Sequence, residues 1–527
     1  MPKTVVANMA QVGLVKDLAA HQVPINGMTD AANVRVRNNS VQKVKGYKDL
    51  FGAITDTPYA VFSVVNSDGA PWWVWMSGTD AFTVDDSYNV REVTRTTGDY
   101  TADYSTGDKW QGFDFSGVFV ANNGADIPQM LTDLDTTPTK FTALASWPAT
   151  TTCRVLRPFR EYMVALDISK TSGGTTTRYP YMVKWSHPAD PGTVPASWDE
   201  TDASLDAGEL DLPDGGAVID CLPLGDVNVI YSETATHVMR YVGGQFVFAF
   251  DKIFSDSGIL ARDCAVEFEG RHLVVTKGDV IVHDGRSYQS VIDKKLKDYF
   301  FYSIDPDYYS RSFVVADHAE KEIWVCFPYT GQSWPNKALI YNWANGTWGI
   351  RDLPATSSIA EGPVDITNTE GAYDGDTESF DGDDTPMDWT GVNPTKQSLV
   401  CAAVSDGVVY LMDSTNREAG TDFTSYVEHD GIVFDDLDTN KTIVNVYPLM
   451  YAYGDEEDDG VNIYVGARQS ANVGINWEGP FSFVPDTQQK IDCRVTGKIF
   501  AIKIESSNNM FWRLDGFDIE YRTRGTR

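Results

Sequence analysis

The sequence holds few of the features on which chemistry is usually built. Its six cysteines, Cys153, Cys221, Cys264, Cys326, Cys401 and Cys493, stand far apart. Without a CxxC pair there is no zinc signature. Several lie in apolar runs such as Ile323-Trp324-Val325-Cys326-Phe327, and read as buried, reduced thiols of a protein made in a cytosol. No apolar run reaches ~18 residues, so no membrane-spanning helix is expected. The first residues lack the apolar stretch of a signal peptide. Basic residues are scarce: 42 Lys and Arg against 75 Asp and Glu give a net charge of -33. A protein that wraps nucleic acid needs the opposite balance, so that class is excluded. The acidity fits plain solubility, and equally a wall that DNA slides past without sticking.

Signatures of catalysis are missing as well. There is no GxxxxGK[ST] and no GxGxxG; Gly497-Lys498 lacks the upstream Gly and the following Ser or Thr. HExxH and GxSxG are absent. The nearest approach to a sialidase Asp-box, Asn345-Gly346-Thr347-Trp348, lacks the Asp and the residue between Gly and Thr. It reads as a hairpin turn before a core Trp. A glycosidase needs two carboxylates ~5–9 Å apart in a cleft, and with 75 acids composition does not decide that point. The expectation is no enzyme, no catalytic residue and no cofactor. Helical periodicity is also rare. Asp293 to Phe301 is one candidate, with Leu296 and Phe300 on one face, and Ala10 to Ala20 is another.

What is present is the hairpin. Val61 to Val65 and Trp72 to Met76 flank Asp68-Gly69, and strand-like runs flank Asn123-Gly124 and Gly243-Gly244. The same pattern surrounds Lys277-Gly278, Asn345-Gly346 and Asp406-Gly407. Two-residue turns need positive φ, which Asn, Asp and Gly tolerate. The flanks are rich in Val, Ile, Phe, Tyr and Trp, which suit a half-buried pleated surface. The fold class expected is all-β: a divergent β-propeller of antiparallel meander blades, with additional β-sandwich or barrel-like parts and long loops. No strict WD or Kelch repeat marks the blades. Four regions are expected. Residues 1–50 form an N-terminal docking segment, 51–355 the propeller body and 356–395 an acidic extended loop. Residues 396–527 complete the propeller or form a sandwich.

Candidate sites are few. Asp374, Asp376 and Glu378 alternate as calcium ligands might, against the plainer reading of a solvated acidic loop. If Lys277-Gly278 is a two-residue turn, His272 faces His283 across a hairpin. The pair could hold zinc with Glu269 or Asp284, or be a hydrogen-bonded surface pair. Trp72, Trp73, Trp75, Trp185, Trp198, Trp334, Trp343 and Trp348 suit core packing, or else sugar stacking.

Several stretches resemble a family. Pro24-Ile25-Asn26-Gly27-Met28-Thr29-Asp30-Ala31-Ala32-Asn33-Val34-Arg35, followed by a basic strand to Gly46, looks like the N-terminal signature of podovirus tail proteins. Lys184-Trp185-Ser186-His187-Pro188-Ala189-Asp190-Pro191, with Ser197-Trp198-Asp199, is similar to a middle segment of the same proteins. So are Leu222-Pro223-Leu224-Gly225-Asp226, Tyr241-Val242-Gly243-Gly244, Gly258-Ile259-Leu260-Ala261 and His283-Asp284-Gly285. Trp512 to Tyr521, followed by an Arg-rich end, resembles their C-terminus. Residues 361–390 depart from the family, in which repeated Trp-Asp turns are common; only Asp388-Trp389 remains.

The resemblance is to tail nozzle proteins of short-tailed bacteriophages, the tail tubular protein B type that stabilises packaged DNA. It implies a structural virion protein, one subunit of a hexameric ring. The ring would hold DNA in and form the channel for its ejection. The implied partners are further copies of the chain, the tail adaptor and portal complex, and tail fibres or spikes. Double-stranded DNA would pass without sequence-specific binding. The implied location is the virion tail, assembled in the host bacterial cytoplasm. Candidate channel or tip acids are Asp374, Asp376, Glu378, Asp381, Asp383, Asp384, Asp455, Glu456, Glu457, Asp458 and Asp459. Candidate adaptor-docking residues are Arg35, Arg37, Lys43 and Lys45. The alternatives are a receptor- or fibre-binding propeller module and, behind it, a propeller glycosidase.

Overall fold

Turn chemistry sets the architecture. At Thr276-Lys277-Gly278-Asp279 the Thr276 N–H donates to the Asp279 carbonyl at 2.8 Å, closing a two-residue turn. Other expected hairpins form with four-residue connections, for example Lys337–Asn342 with Thr347–Asp352 and Thr395–Ala403 with Val408–Thr415. The computed structural model describes residues 2–525 except 53, 55, 67, 68, 106, 135–138, 245, 366–394, 435, 454–459 and 486.

Among the described residues the hairpins assemble into seven four-stranded antiparallel blades. Blades 1 to 5 run Ala60–Val65 to Val90–Glu92, Gln111–Phe115 to Thr142–Ala143, Thr151–Phe159 to Gly208–Asp211, Val218–Leu224 to Phe248–Phe254, and Ala265–Phe268 to Tyr288–Ser290. Blade 6 runs from Phe313–Asp317 to Thr347–Asp352. Blade 7 joins Thr356–Asp365, Thr395–Ala403 and Val408–Thr415 to Gly46–Asp49, a strand from near the N-terminus. The first strand of each blade neighbours the first strand of the next, and the seventh returns to the first. The ring is therefore closed, and its closure ties positions 46–49 to positions 408–415. Tyr47 and Tyr410 pack ring to ring at 4.7 Å across that seam. Gly46 is required there, because a Cβ would lie 1.9 Å from the Arg417 carbonyl oxygen.

The two ends of the chain build a second unit, a β-sandwich. One sheet orders Val34–Arg37, Ser40–Lys43, Phe511–Gly525, Asn440–Tyr453 and Ile491–Gly497, with Lys3–Ala7 added on Phe511–Gly525. The other orders Asn476–Phe483, Val461–Arg468, Ile499–Ser506, Ser425–Ile432 and Asp30–Ala32. Alternating apolar residues such as Val461, Ile463 and Val465 face Ile443, Leu514 and Ile519 in a shared buried cluster. Each large apolar side chain buried this way is worth about 1.5–3 kcal/mol. The outer strand of blade 6 continues into the first sheet at Ile350 opposite Val34. Gly349 permits this approach, since a Cβ would meet the Val34 carbonyl oxygen at 2.6 Å.

Some expected boundaries shift. Residues 1–50 are not a separate docking segment: they supply sandwich strands and the closing strand of blade 7. Within 356–395, Thr356–Asp365 is the innermost strand of blade 7, paired from Thr356 opposite Ala403 to Asp365 opposite Thr395. Ala10 to Ala20 is not a helix, because Gly13 takes φ +79° and Gly13–Leu14 pairs in parallel with Gly27–Met28. The helix expected at Asp293 to Phe301 begins at Lys297 and ends at Ser303. Lys294 upstream takes φ +57°, and Asp17 accepts the N–H groups of Asp298 and Tyr299 at 2.9 and 3.0 Å, satisfying the open first turn. No helix among the described residues is long and apolar enough to cross a membrane.

Candidate functional site

The innermost strands and the segments leading into them surround the propeller axis, where two cavities lie, one at a mouth and one in the shaft. The mouth holds a cavity of about 250 Å³, lined by Arg154 and Val155, Ile219, Leu260 to Arg262 and Tyr309. The shaft holds one of about 290 Å³. Every blade contributes to its wall, through Phe62, Gly112, Arg157, Leu222, Ala265, Val314 and Ile359.

A charged network stands at the shaft cavity, whose wall includes Lys109, Arg157 and Asp263. Arg157 donates from Nε to Asp220 Oδ1 at 3.1 Å, and from Nη2 to Asp220 Oδ2 at 3.0 Å and Asp263 Oδ1 at 2.7 Å. Asp220 is fully buried and also accepts the N–H groups of Cys221 and Asp263 at 2.9 and 2.8 Å. Lys109 Nζ donates to the carbonyls of Ser312 and Arg262 at 2.8 and 3.0 Å, and stands 3.8 Å from Asp263. Burial opposes every charge here, yet pairing outweighs it for two of them. Asp220 and Asp263 hold Arg157 above the ordinary arginine range, and Arg157, Lys109 and Arg262 hold Asp263 below the carboxylate range. Two cations meet two carboxylates, and the shaft is bridged by a neutral, interlocked set.

The mouth is arranged differently. Arg178 forms a two-pronged pair with Asp167, through Nε at 2.7 Å and Nη2 at 2.5 Å. Arg154 reaches Asp108 at 3.1 Å. Arg262 donates from Nη1 to the Arg154 carbonyl, and no carboxylate lies within ion-pair distance of it among the described residues. Burial lowers the Arg262 pKa and Arg154 adds to it, while Asp263, Asp220 and Asp108 oppose.

A third cavity, about 570 Å³, lies where the helix meets the sandwich. Asp17, Asp30, Asp298, Glu428 and Asp430 line it, with Lys16 as its cation and Tyr299 and Tyr302 beside them. Lys16 pairs with Asp30 at 2.5 Å. Burial, then Asp30 and Asp430, pushes Glu428 up to about 7.

The histidine pair falls in register as expected, His272 opposite His283, but its metal reading is corrected. Both rings are buried, and the Tyr231 hydroxyl stands between them, 2.6 Å from His272 Nδ1 and 2.7 Å from His283 Nε2. His272 Nε2 donates to the Pro223 carbonyl at 2.8 Å, and His283 Nδ1 accepts the Gly285 N–H at 3.1 Å. Those backbone partners fix the tautomers: His283 Nε2–H donates to Tyr231, and Tyr231 donates to His272 Nδ1. Every ring nitrogen is engaged, so none is left for a metal. Burial lowers both pKa values, that of His283 to about 4 with His272 adding to the effect, so both rings are neutral. The relay joins blade 4 to blade 5. Among the described residues no group of three or more His, Cys, Asp or Glu could hold a metal ion.

The docking residues are corrected in part. Arg35 is buried and pairs with Asp413 and, at 3.6 Å, Glu322. Arg37 pairs with Glu320. Lys43 is buried, donates to the Asn508 carbonyl at 2.7 Å and lies 4.1 Å from the Phe423 ring centre. These three cations bind parts of the chain to each other; Arg35 and Lys43 are buried, Arg37 is half-buried and Lys45 is exposed. The calcium candidates Asp374, Asp376 and Glu378 lie outside the described residues. So do the other channel or tip acids, Asp381, Asp383, Asp384, Asp455, Glu456, Glu457, Asp458 and Asp459. The tryptophans serve the core: Trp72, Trp73, Trp75, Trp198 and Trp348 are buried, and Trp185, Trp334 and Trp343 are half-buried. The six cysteines are free and buried.

Sequence reasoning missed Lys109, Arg154, Arg157, Asp220, Arg262 and Asp263. Arg154 and Arg157 share one strand and Arg262 and Asp263 are consecutive, but Lys109, Asp220 and these two pairs come from four separate stretches of the chain.

No protein-family model matches the chain, and no curated protein matches it. Among solved structures it is similar to a virginiamycin B lyase from Staphylococcus aureus, with a TM-score of 0.36 and 11% identity over 70% of this chain and 99% of that one. It is also similar to apo AztD from Citrobacter koseri, with a TM-score of 0.32 and 10% identity over 56% of this chain and 73% of that one. At such values no site, substrate or partner carries over. The expectation that the chain is no enzyme is nonetheless overturned as an exclusion, because one of these structures is a lyase.

Proposed function

We propose that this chain is a structural virion protein, a subunit of a hexameric tail nozzle of a short-tailed bacteriophage. It would retain packaged DNA and form the channel for its ejection, in the virion tail after assembly in the host bacterial cytoplasm. The observation that carries this reading is where the family-like termini meet. Asp30–Ala32 and Val34–Arg37 come from the N-terminal signature, and Phe511–Gly525 contains the C-terminal one. All three belong to one sandwich.

Individual signature residues have roles there. Asn33 takes φ +53°, which Asn tolerates better than most residues. Its side chain donates to the Thr424 carbonyl at 2.9 Å and accepts the Asp352 N–H at 2.7 Å. Trp512 is fully buried and donates to Ser425 Oγ at 2.8 Å. The family-like motifs thus encode a platform welded to a propeller.

The shaft supports the ring reading. A cavity of about 290 Å³, bridged by Arg157, Asp220 and Asp263, is smaller than many small-molecule pockets and passes no duplex. A DNA channel in this protein has to lie between subunits. The net charge of -33 suits a channel wall that repels phosphates. Adaptor and portal, and fibres or spikes, are the partners this reading requires. Co-sedimentation of the purified chain with an adaptor–portal complex tests it. Stable association supports the reading, and a chain that stays in the supernatant at every ratio contradicts it.

A further inference from the structure

We propose that the mouth of the propeller shaft is a binding site for an oxyanion, a carboxylate or phosphate carried by a small molecule, with Arg262 and Arg154 as its donors. The inference is independent of the tail reading.

The mouth is a real concavity, about 250 Å³, between blades 3, 4 and 5 and the segment leading into blade 6. Its chemistry is divided. Val155, Ile219, Leu260 and Ala261 give an apolar wall, and Arg154, Arg178, Arg262 and a single acid, Asp167, give charge. A small pocket with an apolar wall and a few convergent polar groups is the usual form of a ligand site.

The charges at the mouth do not balance. Asp167 occupies the planar fork of Arg178, and Asp108 accepts one bond from Arg154. Arg262 spends one nitrogen on the Arg154 carbonyl. Its Nε and Nη2 donate to nothing among the described residues and are not buried, and Arg262 lines the cavity. Arg262, beside Arg154, has no carboxylate within ion-pair distance among the described residues; Asp263, Asp220 and Asp108 act on it only from farther off. In a chain with a net charge of -33, a local surplus of cation is against the composition.

The contrast with the network below it is instructive. There, Arg157 and Lys109 are matched by Asp220 and Asp263. At the mouth the matching carboxylate is the piece the chain does not supply. An incoming oxyanion would accept charge-assisted hydrogen bonds from the open Arg262 nitrogens and from Arg154, in a fork geometry that suits carboxylate and phosphate alike. Its carbon skeleton, where it has one, would lie on the Val155, Ile219 and Leu260 wall, and Tyr309 would cover the opening.

The test is calorimetric titration of the full chain with inorganic phosphate and, separately, with glucuronate, at low ionic strength, with sodium chloride as the control. The proposal expects saturable binding of at least one probe. Phosphate alone would mark a site for the bare anion, glucuronate alone a site that also reads the carbon skeleton; either supports it. Arg262→Gln and Arg154→Gln should each weaken binding about tenfold or more, the loss of a charge-assisted hydrogen bond. Binding of neither probe, or equal binding by the unaltered protein and Arg262→Gln, overturns the proposal.

Discussion

The propeller shaft and the acidic cleft beside the sandwich both concentrate charge, with opposite results. In the shaft, two cations and two carboxylates interlock, and pairing wins over burial for Arg157 and Asp263. In the cleft, five carboxylates face one lysine, and Glu428 is pushed up to about 7. The lesson concerns balance and not amount. A buried charge stays charged where each sign has its partner, and shifts its proton affinity where one sign is in excess. The mouth, with its extra arginine, is the cationic counterpart of the cleft.

Breaking the balance of the shaft should have the largest effect. Asp220→Ala leaves Arg157 with Asp263 alone and strips the acceptor from two backbone N–H groups. A loss of about 3–5 kcal/mol is expected, the range for removing one partner of a buried pair, read as a lower denaturant midpoint. Tyr231→Phe probes a neutral buried network. It removes the hydroxyl between His272 and His283 and should cost about 1–3 kcal/mol by leaving ring nitrogens without partners. A midpoint unchanged in either variant would contradict the assigned role.

The smallest effect sharpens the comparison through pH. The folded-state pKa of Glu428, about 7, lies above its ordinary 4.5. The folded chain therefore binds this proton more tightly than the unfolded chain. Its contribution to stability is lost as pH rises from about 4.5 through about 7 and regained on acidification. His283 acts the other way, with a folded value of about 4 below the ordinary 6.5. Its neutral form is the favoured one, so stability is lost as pH falls from about 6.5 through about 4. Glu428→Gln should remove the gain on acidification between pH 7 and 4.5 and leave the loss due to His283. Melting curves across that range with identical slopes for the variant and the unaltered protein would contradict the account of the cleft.

Much of the fold was legible because turns are local. Lys277-Gly278 and Asn345-Gly346 declare their hairpins within a few residues, and the His272–His283 register follows by counting. The blade count was not legible. The innermost strands begin at 60, 111, 151, 218, 265, 313 and 356, without a fixed period. The closing strand Gly46–Asp49 looked like the end of a basic segment because its partner lies more than 350 positions away. Arg35 was misread for the same reason. Its charge is visible in the sequence, but its partner Asp413 is 378 positions distant. The shaft and mouth residues match no known motif; the packing of successive innermost strands brings them together.

The central claim is that this sandwich and propeller form one subunit of a ring whose channel lies between copies. Electron microscopy of the purified chain, alone and with an adaptor–portal complex, tests it most directly. The account predicts six-fold rings continuing the portal axis, with a propeller in each subunit and the open channel between them. Single particles that never join the complex, or a ring whose channel runs through the propeller shafts, would contradict it.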